Sequence, residues 1–142
     1  MENTTKSSAS SARPAPRVNQ ENAPYWKAAH DGKLMLAECT ACGKIHHPPQ
    51  FVGPFCWSTK VKPTFAGGRG TVNSFSVIHQ TAAPGFRERV PYVLAYVDLE
   101  EGVSLVSNVV NCDVNKVSIG MAVKAVFEPL SGDTGAVLFE PA

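Results

Sequence analysis

No run of residues approaches the roughly 20 consecutive apolar side chains that a membrane-spanning helix needs, and the opening MENTTKSSASSARPAPRV holds no apolar core of a secretory leader. No membrane partner is expected, and a cytoplasmic location is. Neither sign of charge dominates. Lys and Arg total 13 against 12 Asp and Glu, a formal net charge of +1, so nothing electrostatic draws the chain to phosphate backbones or anionic lipid. Cysteine is sparse, with four among 142 residues. In a cytoplasmic setting these are reduced thiols, and a Cys-x-x-Cys pair then reads as a metal or redox motif rather than as half of a disulfide framework. The chain also carries no nucleophile elbow, no zinc-protease helix and no phosphate loop, which leaves it without a recognisable catalytic set. Its length suits one modest domain with a small appendage and excludes two large ones.

Residues 1 to 21 are rich in Ser, Ala, Thr, Pro and Arg with little to bury, the composition of a disordered tail. From Asn22 the text changes. Asn22 can cap, Pro24 suits a first helical turn, YWKAAH continues it and Asp31-Gly32 ends it, which predicts a short helix over 23 to 30. LMLAE reads as a brief strand entering Cys39, and the prolines of HHPPQFVGPF make that stretch a loop. The helix and this ribbon-like module together span 22 to 65, and a second unit runs from 66 to 142. There, after Gly67-Gly68-Arg69-Gly70, the segments TVNSFSVIHQ, PYVLAYVDLE, VSLVSNVVN, VKAVFE and AVLFE are short strands separated by Gly, Pro, Asp and Asn, a pattern that predicts a small barrel. GGRG itself reads as a flexible hinge. A phosphate cradle would want a helix after it, and none follows.

The strands carry an unusual amount of apolar surface. In PYVLAYVDL, Val93, Ala95, Val97 and Leu99 alternate with Tyr92, Leu94, Tyr96 and Asp98, and in VSLVSNVV, Leu105 and Val109 oppose Val106 and Val110. One face fills the barrel, and something is needed for the other. The ribbon, the helix, self-packing and a partner protein all qualify. Between the first two strands, QTAAPGFRERVPY is too long for a tight hairpin. With Phe86, Arg87 and Arg89 it reads as a projecting loop with an apolar tip and two cations, suited to an acidic rim or to phosphate groups, or else as an ordinary solvated loop.

The stretch CTACGKIHHPPQFVGPFCWST, residues 39 to 59, is the other focus. Cys39 and Cys42 have the spacing of a metal-binding knuckle, yet where a second pair should follow only Cys56 appears. A thioredoxin-like reading fails because Gly43, Pro48 and Pro49 deny the helix it needs. Cys112, at a strand end, reads as a small buried apolar residue. His79 reads as structural or solvated.

YWKAAHDGKLMLAECTACGKIHHPP, GGRGTVNSFSVIH, VPYVLAYVDLEEG, SNVVNCD and IGMAVKAVF, taken in order, resemble the family of unknown-function proteins that join a rubredoxin-like zinc ribbon to an OB-fold. The resemblance covers residues 22 to about 140 and rests on the succession of motifs rather than on any one. It implies a mainly β chain with a short N-terminal helix, a small ribbon and a five-stranded OB barrel. It further implies a non-catalytic accessory subunit of a thiolase, aldolase or acyltransferase complex, with a thiolase-fold enzyme as partner and a CoA thioester as ligand. On that reading Phe86, Arg87, Arg89, Tyr92 and Tyr96 are the residues for partner or acyl-CoA contact.

The family's second knuckle reads roughly Cys-Pro-x-Cys-Gly-Ser. Aligned on Pro54 and Cys56, this chain has Gly53 where the first cysteine belongs and Trp57 where the glycine belongs. Two readings stay open. In one, zinc is held by Cys39, Cys42 and Cys56 with the fourth ligand missing at Gly53 or supplied by His46 or His47. In the other, the ribbon persists through apolar packing, Trp57 fills the old metal side, and the turn no longer needs knuckle geometry. The functional alternative to the accessory subunit is an OB-type module for single-stranded nucleic acid. Tyr92 and Tyr96 could stack on bases there, but the basic groove that such binding needs is absent, so nucleic acid is not favoured.

Overall fold

The computed structural model describes residues 13–142. The part of the tail expectation that falls on 1–12 lies outside the described residues. From 13 to 21 the chain has no helix or strand, but it is fastened at both ends. Arg13 donates from Nε to Glu128 Oε1 and from Nη1 to Asn108 Oδ1, each at 3.0 Å. Asn19 and Asn22 each accept the other's backbone N–H at 2.8 Å. The Asn22 side chain is thereby turned away from the helix it was expected to cap, and it fixes the approach to that helix instead.

Helix α1 (Ala23–His30) has the predicted bounds, with Pro24 in its first turn. Gly32 ends it at φ +80° and donates to the Ala29 carbonyl, the left-handed stop that glycine makes without strain. Its buried face is only Ala28 and Ala29, so the helix backbone can come very close to what lies beneath. Strand β1 (Met35–Cys39) follows and stands between β2 (Ile45–His46) and β3 (Val61–Phe65), both antiparallel to it. Pro63 sits inside β3, opposite Ala37; β3 is an edge strand, where a missing N–H is tolerated.

The barrel comprises β4 (Arg69–Ile78), β5 (Tyr92–Leu99), β6 (Ser104–Val109), β7 (Ala122–Pro129) and β8 (Gly135–Pro141), closed in the order β4-β5-β6-β8-β7. This is the mainly β architecture expected, with one short helix, a ribbon and a five-stranded OB barrel. β4 and β5 run antiparallel from Gly70↔Leu99 to Ile78↔Tyr92, with a register shift between Val72 and Ser74. β7 and β8 form a hairpin, and Arg69–Thr71 closes the other side on β7. β8 meets β6 in parallel at the single pair Val109↔Phe139, extended by the Val110 N–H to the Phe139 carbonyl at 2.7 Å. Val72, Val93, Val97, Leu105, Val123 and Phe139 fill the interior, and Ala29, Leu34 and Leu36 join them in one continuous core. Helix and ribbon are thus bonded to the barrel by burial rather than tethered to it.

GGRG is not a hinge. The Gly68 carbonyl accepts from the Ala125 N–H at 2.7 Å, and a Cβ at Gly70 would lie 2.7 Å from the Asp98 carbonyl oxygen. These glycines let three strands close tightly, which is also why no phosphate cradle forms there.

Candidate functional site

The ribbon tip is made of two turns built alike. In the first, the Cys39 N–H donates to the Lys44 carbonyl at 2.9 Å and the Gly43 N–H donates to the Cys39 carbonyl at 2.7 Å. In the second, the Gly53 N–H donates to the Ser58 carbonyl and the Trp57 N–H to the Gly53 carbonyl, both at 2.8 Å. Each turn has its fifth residue in the left-handed region, Gly43 at φ +78° and Trp57 at φ +63°. Position by position, Cys39 corresponds to Gly53, Cys42 to Cys56 and Gly43 to Trp57. The knuckle geometry expected to be lost with its glycine is therefore retained, and Trp57 carries the backbone strain that the glycine would have avoided. Nor does Trp57 fill the metal side, because its side chain is 80% exposed.

The sulfurs of Cys39, Cys42 and Cys56 lie within 4.8 Å of one another, with Cys39 and Cys56 Sγ 3.4 Å apart. Backbone N–H groups of the first turn, Cys42 foremost and Ala41 with it, point at the Cys39 sulfur, and together with the Cys56 thiol they push it down to about 7. The Ser58 N–H acts the same way on Cys56, but the thiols of Cys39 and Cys42 outweigh it and push that group up. Three thiols and their N–H donors are thus arranged to share negative charge around one centre.

Among the described residues, neither His46 nor His47 joins the cluster. His46 is not a loop residue: it is buried in β2 with Nδ1 3.2 Å from the Pro48 carbonyl. His47 packs on Tyr25 with ring centroids 5.3 Å apart, and burial, followed by its neighbour His46, pulls its pKa down. In this arrangement neither imidazole groups with the three sulfurs as a fourth ligand.

The loop between β4 and β5 does not project with an apolar tip. Phe86 folds back on Tyr92, centroids 5.6 Å apart, and the Arg13 guanidinium lies 5.5 Å over its other face. Arg87 donates to the Ala82 carbonyl, and Arg89 donates to the Gly85 carbonyl and approaches Glu128 at 3.7 Å. Both cations bond carbonyls of their own loop, which has a 3-10 turn at Arg87–Arg89. Phe86, Arg89 and Tyr92 thus meet in one depression with Arg13 and Asn108, while Tyr96 lies outside it and Arg87 is exposed and held to Ala82. Arg13, whose ordinary pKa burial lowers against the opposing pull of Glu128, is the residue of this depression that sequence reasoning missed; an arginine in a Ser-, Ala- and Pro-rich tail gave no signal.

Tyr96 belongs to the outer face of the barrel. There it is 44% exposed beside Leu94 at 41% and Val106 at 62%, with Val106 directly opposite Tyr96 across the β5–β6 ladder. Ser74 and Ser76 border them from β4 in a shallow groove. Helix α1 packs on β8, β7 and β1 instead, so neither helix nor ribbon covers this apolar stripe.

Two family models match in tandem: "ChsH2, rubredoxin-like zinc ribbon domain" over residues 26–62 and "ChsH2, C-terminal OB-fold domain" over residues 64–128. A "DUF35 domain-containing scaffold protein" of Methanocaldococcus jannaschii is 34% identical over 75% of this chain and 77% of its own length. The chain belongs to the ChsH2, or DUF35, family. A solved structure described as "Ltp2-ChsH2(DUF35) aldolase" is similar to this DUF35 chain with a TM-score of 0.80 and 35% identity, over 89% of this chain and 98% of that one. It is also 39% identical, over 92% of its length, to a "Probable enoyl-CoA hydratase alpha subunit" of Thermomonospora curvata, of which it spans only 40%. Relatives of this DUF35 chain are thus named both as scaffold proteins and as subunits of hydratase and aldolase complexes.

The family's ribbon implies zinc, and the donor set fits it in part. Cys39, Cys42 and Cys56 supply three of the four soft ligands that a structural zinc takes, and Gly53 stands at the position of the fourth. Among the described residues no helix is long and apolar enough to cross a membrane.

Proposed function

We propose that this chain is a non-catalytic accessory subunit of a thiolase-, aldolase- or acyltransferase-type complex acting on an acyl-CoA, and that it docks on a thiolase-fold enzyme through the outer face of β4, β5 and β6. The observation that carries the reading is the apolar stripe of Leu94, Tyr96 and Val106, which nothing among the described residues covers and which monomers seldom leave open at this density. The names of its relatives, scaffold proteins and subunits of CoA-processing enzymes, support the same role. Tyr96 occupies the centre of the contact. Phe86 and Tyr92 continue it towards the loop, and Arg87 and Arg89 form its cationic rim, facing acidic groups of the partner or the phosphates of CoA. The chain contributes assembly and acyl-CoA binding, and the partner contributes the bond-making residues.

Co-expression with the thiolase-fold protein encoded nearest to it, followed by size-exclusion chromatography, tests the reading. Co-elution is the expected result, together with acyl-CoA turnover that the partner lacks alone and this chain lacks alone. Separate elution with a fully active, stable partner would refute it, and salt-sensitive capture of a single-stranded oligonucleotide by this chain would then favour an independent binding module.

A further inference from the structure

The second knuckle keeps its backbone without keeping its first cysteine. Its hydrogen bonds match those of the first knuckle to within 0.1 Å, and Trp57 holds φ +63° where a glycine would sit without strain. A Cβ built at Gly53 would lie 3.4 Å from both Cβ and Sγ of Cys39 and 3.6 Å from the Ser58 carbonyl oxygen, ordinary contacts that leave room for a side chain directed at the sulfur cluster. Gly53 does not itself need a left-handed backbone. The position is therefore shaped for a ligand that the chain does not supply. Of the three sulfurs, Cys39 is buried while Cys42 and Cys56 are exposed, so the cluster opens to solvent on one side.

From this geometry we infer that the ribbon is an open metal site: Cys39, Cys42 and Cys56 bind one soft divalent ion, zinc in the cell, and the fourth ligand is a small monodentate sulfur or nitrogen donor that comes from solution and exchanges. Three thiolates leave a tetrahedral ion one position short, and such an ion completes its shell from outside, as zinc does wherever only three protein ligands are present. Thiolate-rich sites select soft ions and accept soft exogenous donors. Among the described residues no His, Asp or Glu joins the three sulfurs to activate a water. The open position is therefore a binding position and not a hydrolytic one. With one thiolate fewer than a closed ribbon, the ion is held loosely enough to be stripped by mild chelation, and zinc is substoichiometric after purification in a chelator.

Cobalt(II) provides the readout, since its d–d bands report the number and kind of its ligands. The full chain, reduced with a phosphine, is loaded with cobalt(II) and titrated separately with 2-mercaptoethanol and with imidazole. The expected result is one cobalt per chain in a thiolate-rich tetrahedral spectrum whose d–d bands move saturably with at least one added donor. Gly53→Cys should give a four-thiolate spectrum that neither donor moves, with metal bound at least about tenfold more tightly, and Cys42→Ser should lose stoichiometric binding. Should Gly53→Cys fail to fold, as judged by circular dichroism, the donor titration of the native chain decides alone. The inference is overturned if the native chain binds no stoichiometric cobalt at saturating metal, or if its spectrum is indifferent to both donors, which would mean that the chain itself provides the fourth ligand.

Discussion

Replacing Tyr96 by threonine removes the aromatic ring from the outer face of the barrel while keeping a residue that suits a strand. Tyr96 is 44% exposed. For a side chain that buries about 150–250 Å² in full contact, on the order of 100 Å² is left to be covered by a partner, and at ~25 cal/mol per Å² this corresponds to about 2 kcal/mol. The affinity for the partner enzyme should fall roughly thirtyfold. The fold should hardly notice, because the interior-facing neighbours Ala95 and Val97 are untouched and exposed strand substitutions span only about 1 kcal/mol. Titration calorimetry against the co-purified partner measures the first quantity, and urea denaturation of the isolated chain measures the second. Unchanged affinity in a variant of unchanged stability would refute the assignment of this face, whereas a loss of stability equal to the loss of affinity would show that the ring serves the barrel instead.

Gly135→Ala should destabilise the chain by about 1–3 kcal/mol, because a Cβ there would lie 2.7 Å from the Ala29 carbonyl carbon and from the His30 amide nitrogen of α1; a urea midpoint unchanged from the native chain would contradict that close approach. Burial pushes the Tyr25 phenol up to about 12 from its ordinary value of 10.0. The fold therefore favours the neutral form, its contribution to stability is complete below pH 10 and is lost as pH rises towards 12, and Tyr25→Phe should abolish that alkaline decline in stability measured across the same range. Trp57→Gly should gain about 1 kcal/mol by relieving the left-handed backbone, since so exposed a side chain contributes little packing; differential scanning calorimetry showing a lower Tm would refute the strain.

Much of the fold was legible because its signals are local. Pro24 and Gly32 bracket α1, and strict alternation in YVLAYVDL states which residues of β5 face inward. What escaped depends on contacts between distant residues. Nothing in VKPTF announces a strand, because Pro63 contradicts one until the edge position of β3 is known. The short parallel contact of β8 with β6 has no signature in either segment. The gap at Gly53 came from the family resemblance, whereas the Cys39–Cys42 knuckle and the lack of a full second pair could be read from spacing. That the second turn survives the loss of both its cysteine and its glycine could not, since a tryptophan at φ +63° is held there by the surrounding hydrogen bonds and not by its own preference. In the same way, the packing of Phe86 involves Arg13, which is far from the loop in sequence and beside it in space.

The single parallel pair between Val109 and Phe139 makes the β6–β8 seam the most sparsely paired junction of the barrel. Antiparallel neighbours share many ladder bonds, but this seam has few, and side chains take over: Ser107 donates to the Val137 carbonyl at 2.7 Å across it, and Arg13 ties Asn108 of β6 to Glu128 of β7 past the strand that lies between. Amide exchange should therefore be faster along β6 at this seam than in the antiparallel pairings of the barrel. One guanidinium lying ahead of the first helix thus bridges two strands of a cylinder it does not belong to, and trimming the N-terminal segment past Arg13 should speed amide exchange in β6 if that bridge helps hold the seam.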